Sequence, residues 1–128
     1  MSGEGHAFEP RTVEKPWGAE LIWAQTDEYA GKILFVRAGE SLSLQYHELK
    51  DESWYVLDGR AHLEVGAVGD EVLEEVEIVT GDAFRFRPGT VHRVTGIEDT
   101  RILEVSTAHL DDVVRLADDY GRAGTSQP

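Results

Sequence analysis

Gln45, His47 and Glu52 fall within eight residues of one another in the run LSLQYHELKDESWYVLDG, and His92 follows a Pro-Gly turn in GDAFRFRPGTVHR. An amide oxygen, two imidazole nitrogens and a carboxylate are donors that together surround one divalent cation and leave positions open for water or substrate. Residues two apart in a strand point to the same side, so Gln45 and His47 form a chelating pair if that stretch is extended. The chain has no cysteine, so any metal is held by nitrogen and oxygen, and disulfides and thiolate catalysis are excluded. Taken singly, such residues usually just line a barrel; it is their spacing that points to a metal. A neutral amide beside one carboxylate leaves Zn2+ with net positive charge and therefore a good Lewis acid. Mn2+, Fe2+, Co2+ and Ni2+ fit the same donors.

These groups sit in β-type sequence. Short β-branched and aromatic segments cover roughly 19–25, 32–37, 41–47, 53–58, 61–65, 71–79, 83–87, 92–96 and 101–106. Turn formers separate them, among them Ala38-Gly39, Asp58-Gly59, Thr80-Gly81-Asp82 and Pro88-Gly89. Regular punctuation of this kind predicts an all-β sandwich or small barrel. Leu110, Val113, Val114 and Ala117 recur at helical period, which predicts a short C-terminal helix with Asp111 and Asp112 near its N-terminus. GAVGDEVLEEV at 66–76 reads as the solvated tip of a hairpin. Residues 1–10 and 123–128 are small, polar and Gly/Pro-marked, and read as disordered tails around a single domain over 11–122.

A chain of 128 residues with 25 acidic and 12 basic side chains carries a formal charge of −13. That field disfavours nucleic acid and anionic membranes as partners. No apolar run approaches the roughly 20 residues of a membrane span, and the N-terminus lacks a basic and apolar leader, so a cytoplasmic protein is expected. An anionic substrate would have to meet a local cluster of cations working against the average charge.

From Gly39 the spacing is G-x5-Q-x-H-x4-E-x6-G, ending at Gly59; Gly81, Gly89 and His92 follow in the order of a second motif. The pair resembles the two motifs of the cupin superfamily, with Gln45 in place of the first His. Gln-x-His, then Glu, then a distant His is similar to the metal quartet of the type II phosphomannose isomerase cupin domain. The likeness extends to Lys15-Pro16-Trp17-Gly18, Lys32, LSLQ at 42–45, Glu52-x-Trp54-x-Val56-x-x-Gly59, His92-Arg93-Val94 and DDVVRLADDYGR at 111–122. It covers about Arg11 to Arg122. The chain departs from the family where Lys50 replaces an Arg and Ser53 a His; Lys keeps the charge but loses the planar fork that suits phosphate.

The resemblance implies a cupin-type β-barrel, the double-stranded β-helix or jelly roll, with a short C-terminal helix, forming a homodimer through sheet edges. It implies one divalent metal, Zn2+ in first place, on Gln45, His47, Glu52 and His92. The implied activity is a sugar-phosphate isomerase converting mannose 6-phosphate to fructose 6-phosphate through a cis-enediol. Lys32 and Arg115 are the expected catalytic residues, and Lys32, Lys50, Trp54, Arg93, Tyr120 and Arg122 the expected substrate contacts. The general base is Lys32 or a hydroxide on the ion, and the sequence does not choose between them. Competing readings are a cupin oxygenase or other sugar-modifying cupin, and a non-catalytic cupin that binds metal and sugar. Trp17 and Trp54 read as core residues before sugar platforms.

Overall fold

The structure is a computed structural model and describes residues 5–124. The expected tails lie partly outside that range, at 1–4 and 125–128. Eleven strands follow in chain order: β1 (Arg11–Lys15), β2 (Gly18–Gln25), β3 (Tyr29–Val36), β4 (Leu44–Tyr46), β5 (Glu52–Asp58), β6 (Arg60–Ala67), β7 (Glu74–Val79), β8 (Ala83–Phe86), β9 (Thr90–Gly96), β10 (Thr100–Thr107) and β11 (Val114–Ala117). They pair antiparallel into a six-stranded sheet, β1-β2-β3-β10-β5-β8, and a five-stranded sheet, β11-β4-β9-β6-β7. This is the all-β cupin barrel the motifs imply.

Two details differ from the sequence expectation. Arg11–Lys15, which carries no clear alternation of apolar side chains, forms the edge strand β1 against β2. The predicted C-terminal helix is absent: 114–117 is strand β11, paired with β4 so that Arg115 faces Gln45. Val113 and Arg115 are both buried there, an alternation of period two whose second inward member is a cation. Counting only apolar residues therefore found a helical period in a segment that buries an Arg.

Strand alternation sorts the interior into two ends. On the six-stranded sheet Leu34, Ile102 and Val56 pair across β3, β10 and β5, and they meet Ala61, Leu63 and Val94 of the other sheet in the core. Full burial of each such aliphatic side chain stabilises by about 1.5–3 kcal/mol. One pleat further along, the same inward rows become Lys32, Glu104 and Trp54, then Ser106 and Glu52. The barrel is thus apolar at one end and ionisable at the other. Trp54 and Phe86 separate the ends, their rings edge to face at 4.8 Å.

Candidate metal centre

Glu52 begins β5, on the six-stranded sheet, and its carboxylate is buried. Two imidazoles from the opposite sheet meet it. His92 Nε2 lies 2.9 Å from Glu52 Oε1, and His47 Nε2, one residue past β4, lies 3.3 Å from the same oxygen. Each ring is oriented through its other nitrogen: His92 Nδ1 donates to the Thr90 carbonyl at 3.0 Å, and His47 Nδ1 to the carbonyl of Asp112. With both Nδ1 atoms donating to carbonyls, both Nε2 atoms present lone pairs toward a carboxylate. His92 Nε2 is buried and makes no hydrogen bond. Buried acceptors facing one another are costly unless a cation lies among them, and an imidazole whose far nitrogen donates to a carbonyl is the usual metal-ligating arrangement. The donor set therefore fits a divalent ion.

Gln45 is the Cα partner of His92 across β4 and β9, and its Oε1 accepts from Ser43 Oγ at 2.6 Å. It shares the wall of one cleft with His47, so the amide and imidazole do lie to one side of the chain. Behind the carboxylate, Lys50 Nζ sits 3.0 Å from Glu52 and 3.5 Å from Glu104, while Trp54 Nε1 donates to Glu104 at 3.0 Å. Burial opposes the Lys50 charge, but Glu104 and Glu52 outweigh it and hold its pKa above the ordinary lysine value. Burial likewise pushes Glu52 up, yet the Lys50 ammonium beside it holds it well below the usual carboxylate range. Glu104 moves the other way, raised by burial and by Glu52 against the pull of Lys50 and Lys32.

The cleft has a cavity volume of about 50 Å³ and is walled by Lys15, Glu20, Lys32, Lys50, Arg115 and Arg122 together with Gln45, His47 and apolar Trp17, Leu42, Leu110 and Val113. Lys32 Nζ is 3.3 Å from Glu20 and Lys15 Nζ 4.0 Å from it. Burial lowers the Lys15 pKa; Glu20 opposes this, and Lys32, Arg122 and Arg115 lower it further. Burial and Arg122 lower that of Arg115 as well. Depression of Lys15 and Arg115 by burial and by neighbouring cations marks a crowded cationic pole inside a chain of charge −13.

Not every expected residue reaches this cleft. Arg93 lies on the outer face of the five-stranded sheet, where it pairs with Glu64 at 2.9 Å, because it alternates with the inward His92 and Val94. The Tyr120 hydroxyl donates to Glu40 and accepts from the Ser41 N–H, pinning the C-terminal segment instead of facing the cleft. Trp54 is a core residue beside His92, with ring centroids 5.6 Å apart, and Trp17 is buried too. Lys50 reaches the cleft wall but spends its charge on buried carboxylates. Arg85 points outward to Asp51, as does Arg101 to Asp58. Ser53 faces outside the barrel in a groove with Tyr55 and Arg85, so its departure from the family pattern does not touch the centre. Lys15, Glu20, Glu104 and Asp112 were missed as site residues, although Lys15 and Asp112 stand in segments that carry the resemblance. A second group, His62, Glu64 and Glu75, gathers on the outer face, where Glu64 is already taken by Arg93.

The profile of the mannose-6-phosphate isomerase C-terminal family matches residues 3–118. The chain belongs to that family. Its relatives include the xanthan biosynthesis protein XanB of Xanthomonas campestris pv. campestris, 32% identical over 127 residues, covering 94% of this chain and 26% of XanB. The mannose-1-phosphate guanylyltransferase of Escherichia coli K12 is 33% identical over 117 residues, covering 88% and 23%. The chain thus spans about a quarter of the length of these relatives. Among solved structures, the oxalate decarboxylase of Bacillus subtilis, described with Mn(II) centres, superposes with a TM-score of 0.69 at 21% identity, over 83% of this chain and 30% of that one. That likeness is one of fold. Among the described residues no helix is long and apolar enough to cross a membrane.

Proposed function

We propose that this family member is a metal-dependent sugar-phosphate isomerase interconverting mannose 6-phosphate and fructose 6-phosphate. The observation that carries the reading is the meeting of two imidazoles and a carboxylate beside a cationic cleft whose wall includes His47 and Gln45. The family match supports the substrate, and the Mn(II) of a similarly folded decarboxylase supports a divalent ion on these donors. His47, Glu52 and His92, with Gln45 beside them, would hold the ion. When bound it supplies Lewis-acid polarisation of a sugar oxygen.

The chain's own residues divide the remaining work. A phosphate monoester dianion matches Lys15, Lys32, Arg115 and Arg122, whose collective positive charge Glu20 only partly offsets. Arg115 and Arg122 offer planar forks for two phosphate oxygens. The proton that moves between C2 and C1 falls to Glu20, whose carboxylate takes it from C2 and returns it to C1, while the Lys32 ammonium beside it gives a proton to O1 and recovers one from O2 as the enediol collapses. Leu42, Leu110, Val113 and Trp17 exclude water from the sugar's apolar face.

A coupled assay with mannose 6-phosphate tests this, run on protein as purified, after chelation, and after reloading with Zn2+ or Mn2+. Turnover that disappears on chelation and returns on reloading is expected. Metal-loaded protein that leaves mannose 6-phosphate unchanged would overturn the isomerase reading and favour an oxidative or purely binding cupin.

A further inference from the structure

We infer that Asp112 is a positioning residue for the metal centre, fixing the loop that carries two of its ligands. The inference rests on the metal reading above. His47 and Glu52 are separated by residues 48–51, a stretch outside any strand. Asp112 holds that stretch with every acceptor it has. Its Oδ1 accepts the Glu48 N–H at 3.0 Å, its Oδ2 the N–H groups of Leu49 and Lys50 at 2.7 and 2.8 Å, and its main-chain carbonyl the Nδ1–H of His47.

Three consecutive backbone N–H groups turned toward one carboxylate form a nest, and without an anion they would point at one another unpaired. Burial raises the Asp112 carboxyl, but these three donors bring it below its usual range. The contact also ties distant parts of the chain, since 112 lies just before β11 and 48–50 just after β4. Asp112 is itself braced, its N–H donating to the His109 carbonyl. Next to it the Thr107 hydroxyl accepts the Asp51 N–H, and on the other side the Gly89 N–H donates to the His47 carbonyl.

One residue therefore sets both the ring orientation of His47 and the path from His47 to Glu52. An outer-shell partner that orients a ligating imidazole is worth roughly 10–100-fold in metal affinity. The Asp112→Asn side chain keeps the volume but loses the charge and replaces one acceptor oxygen with an NH2 that opposes at least one of the three backbone donors. The backbone carbonyl survives the substitution, so the change reads the loop clamp alone.

The test titrates the chelated protein with Co2+ alone, following its visible absorption, for wild type, Asp112→Asn, Asp112→Glu and Asp82→Asn. Asp82 also accepts a backbone N–H, that of Val79, but in a turn remote from the centre. Because the carbonyl that orients His47 is kept, Asp112→Asn should weaken Co2+ binding by about tenfold, the low end of that range, and change the absorption of the loaded form. Asp112→Glu should recover part of the loss, while Asp82→Asn leaves Co2+ binding at the wild-type value. Asp112→Asn protein binding Co2+ within twofold of wild type with an unchanged spectrum would overturn the inference and leave the metal reading standing. So would an Asp112→Asn chain that fails to fold, because Asp112 would then serve the fold and not the ligand. Wild type that binds no Co2+ would instead remove the metal reading itself.

Discussion

His92 has its Nδ1 committed to the Thr90 carbonyl and its Nε2 aimed at Glu52 without a hydrogen bond. A buried imidazole gains nothing from that posture unless a cation takes the lone pair. His92→Ala should therefore cut metal affinity by at least the roughly 10–100-fold that a lost outer-shell partner costs, read as metal content after dialysis. Gln45→Ala should do less, since a neutral amide contributes no charge. Unchanged content in both would dismiss these donors. Trp54 offers a second test, because its indole N–H is a donor to the buried Glu104. Trp54→Phe keeps an aromatic ring against Phe86 but strips that donor, and should cost about 1–3 kcal/mol in urea unfolding. At this scale the candidate donors were legible because Gln45, His47 and Glu52 are close in sequence and, with His92, are spaced as motifs. Lys15, Glu20 and Glu104 were not, because strand pairing alone brings them from three separate segments.

The turns between strands show which residues the fold cannot exchange. Gly59 closes β5 onto β6 with φ +98°, and a Cβ there would sit 2.5 Å from the Asp99 carbonyl oxygen and 2.7 Å from Thr100 Cα. Gly59→Ala combines a left-handed backbone with a backbone collision, so a loss of at least about 1–3 kcal/mol is expected in thermal unfolding. This glycine was legible as the end of the first motif. The C-terminal segment was misread because Arg115 occupies an inward position in β11. There Asp118 pairs with Arg122 at 2.9 Å, and Tyr120 closes onto Glu40. Burial, reinforced by that bond to Glu40, pushes the Tyr120 phenol up to about 12 from 10.0. A raised folded pKa favours the neutral form, so Tyr120 contributes its stabilisation in full below pH 10 and loses it as pH rises through about 12. Ultraviolet titration of the four tyrosines should show one ionising late, and Tyr120→Phe should abolish that late step. A late step that survives the substitution would reassign it to another tyrosine.

Across the whole molecule the candidate ion joins the two sheets. Glu52 comes from the six-stranded sheet, while His92 and Gln45 come from the five-stranded one and His47 from the loop that follows β4. Elsewhere the sheets meet through apolar contacts concentrated at the other end of the barrel. At the ionisable end, Lys50 bridges Glu52 to Glu104, both on the same sheet, and so does not replace a link across the barrel. Alternation made the two sheets predictable, but which end would be polar depended on register, which no short motif encodes. A ligand bound only by the folded chain stabilises by about 2.7 kcal/mol when present at a hundredfold excess over its Kd. For a domain of this size that is about 10 °C in Tm. Chelated protein should therefore melt about 10 °C below the Zn2+- or Mn2+-loaded form, with the gap shrinking toward zero in His92→Ala. Identical melting of chelated and loaded wild type under saturating ion would mean that the folded barrel does not grip it, and that Glu52, His47 and His92 meet for some other reason.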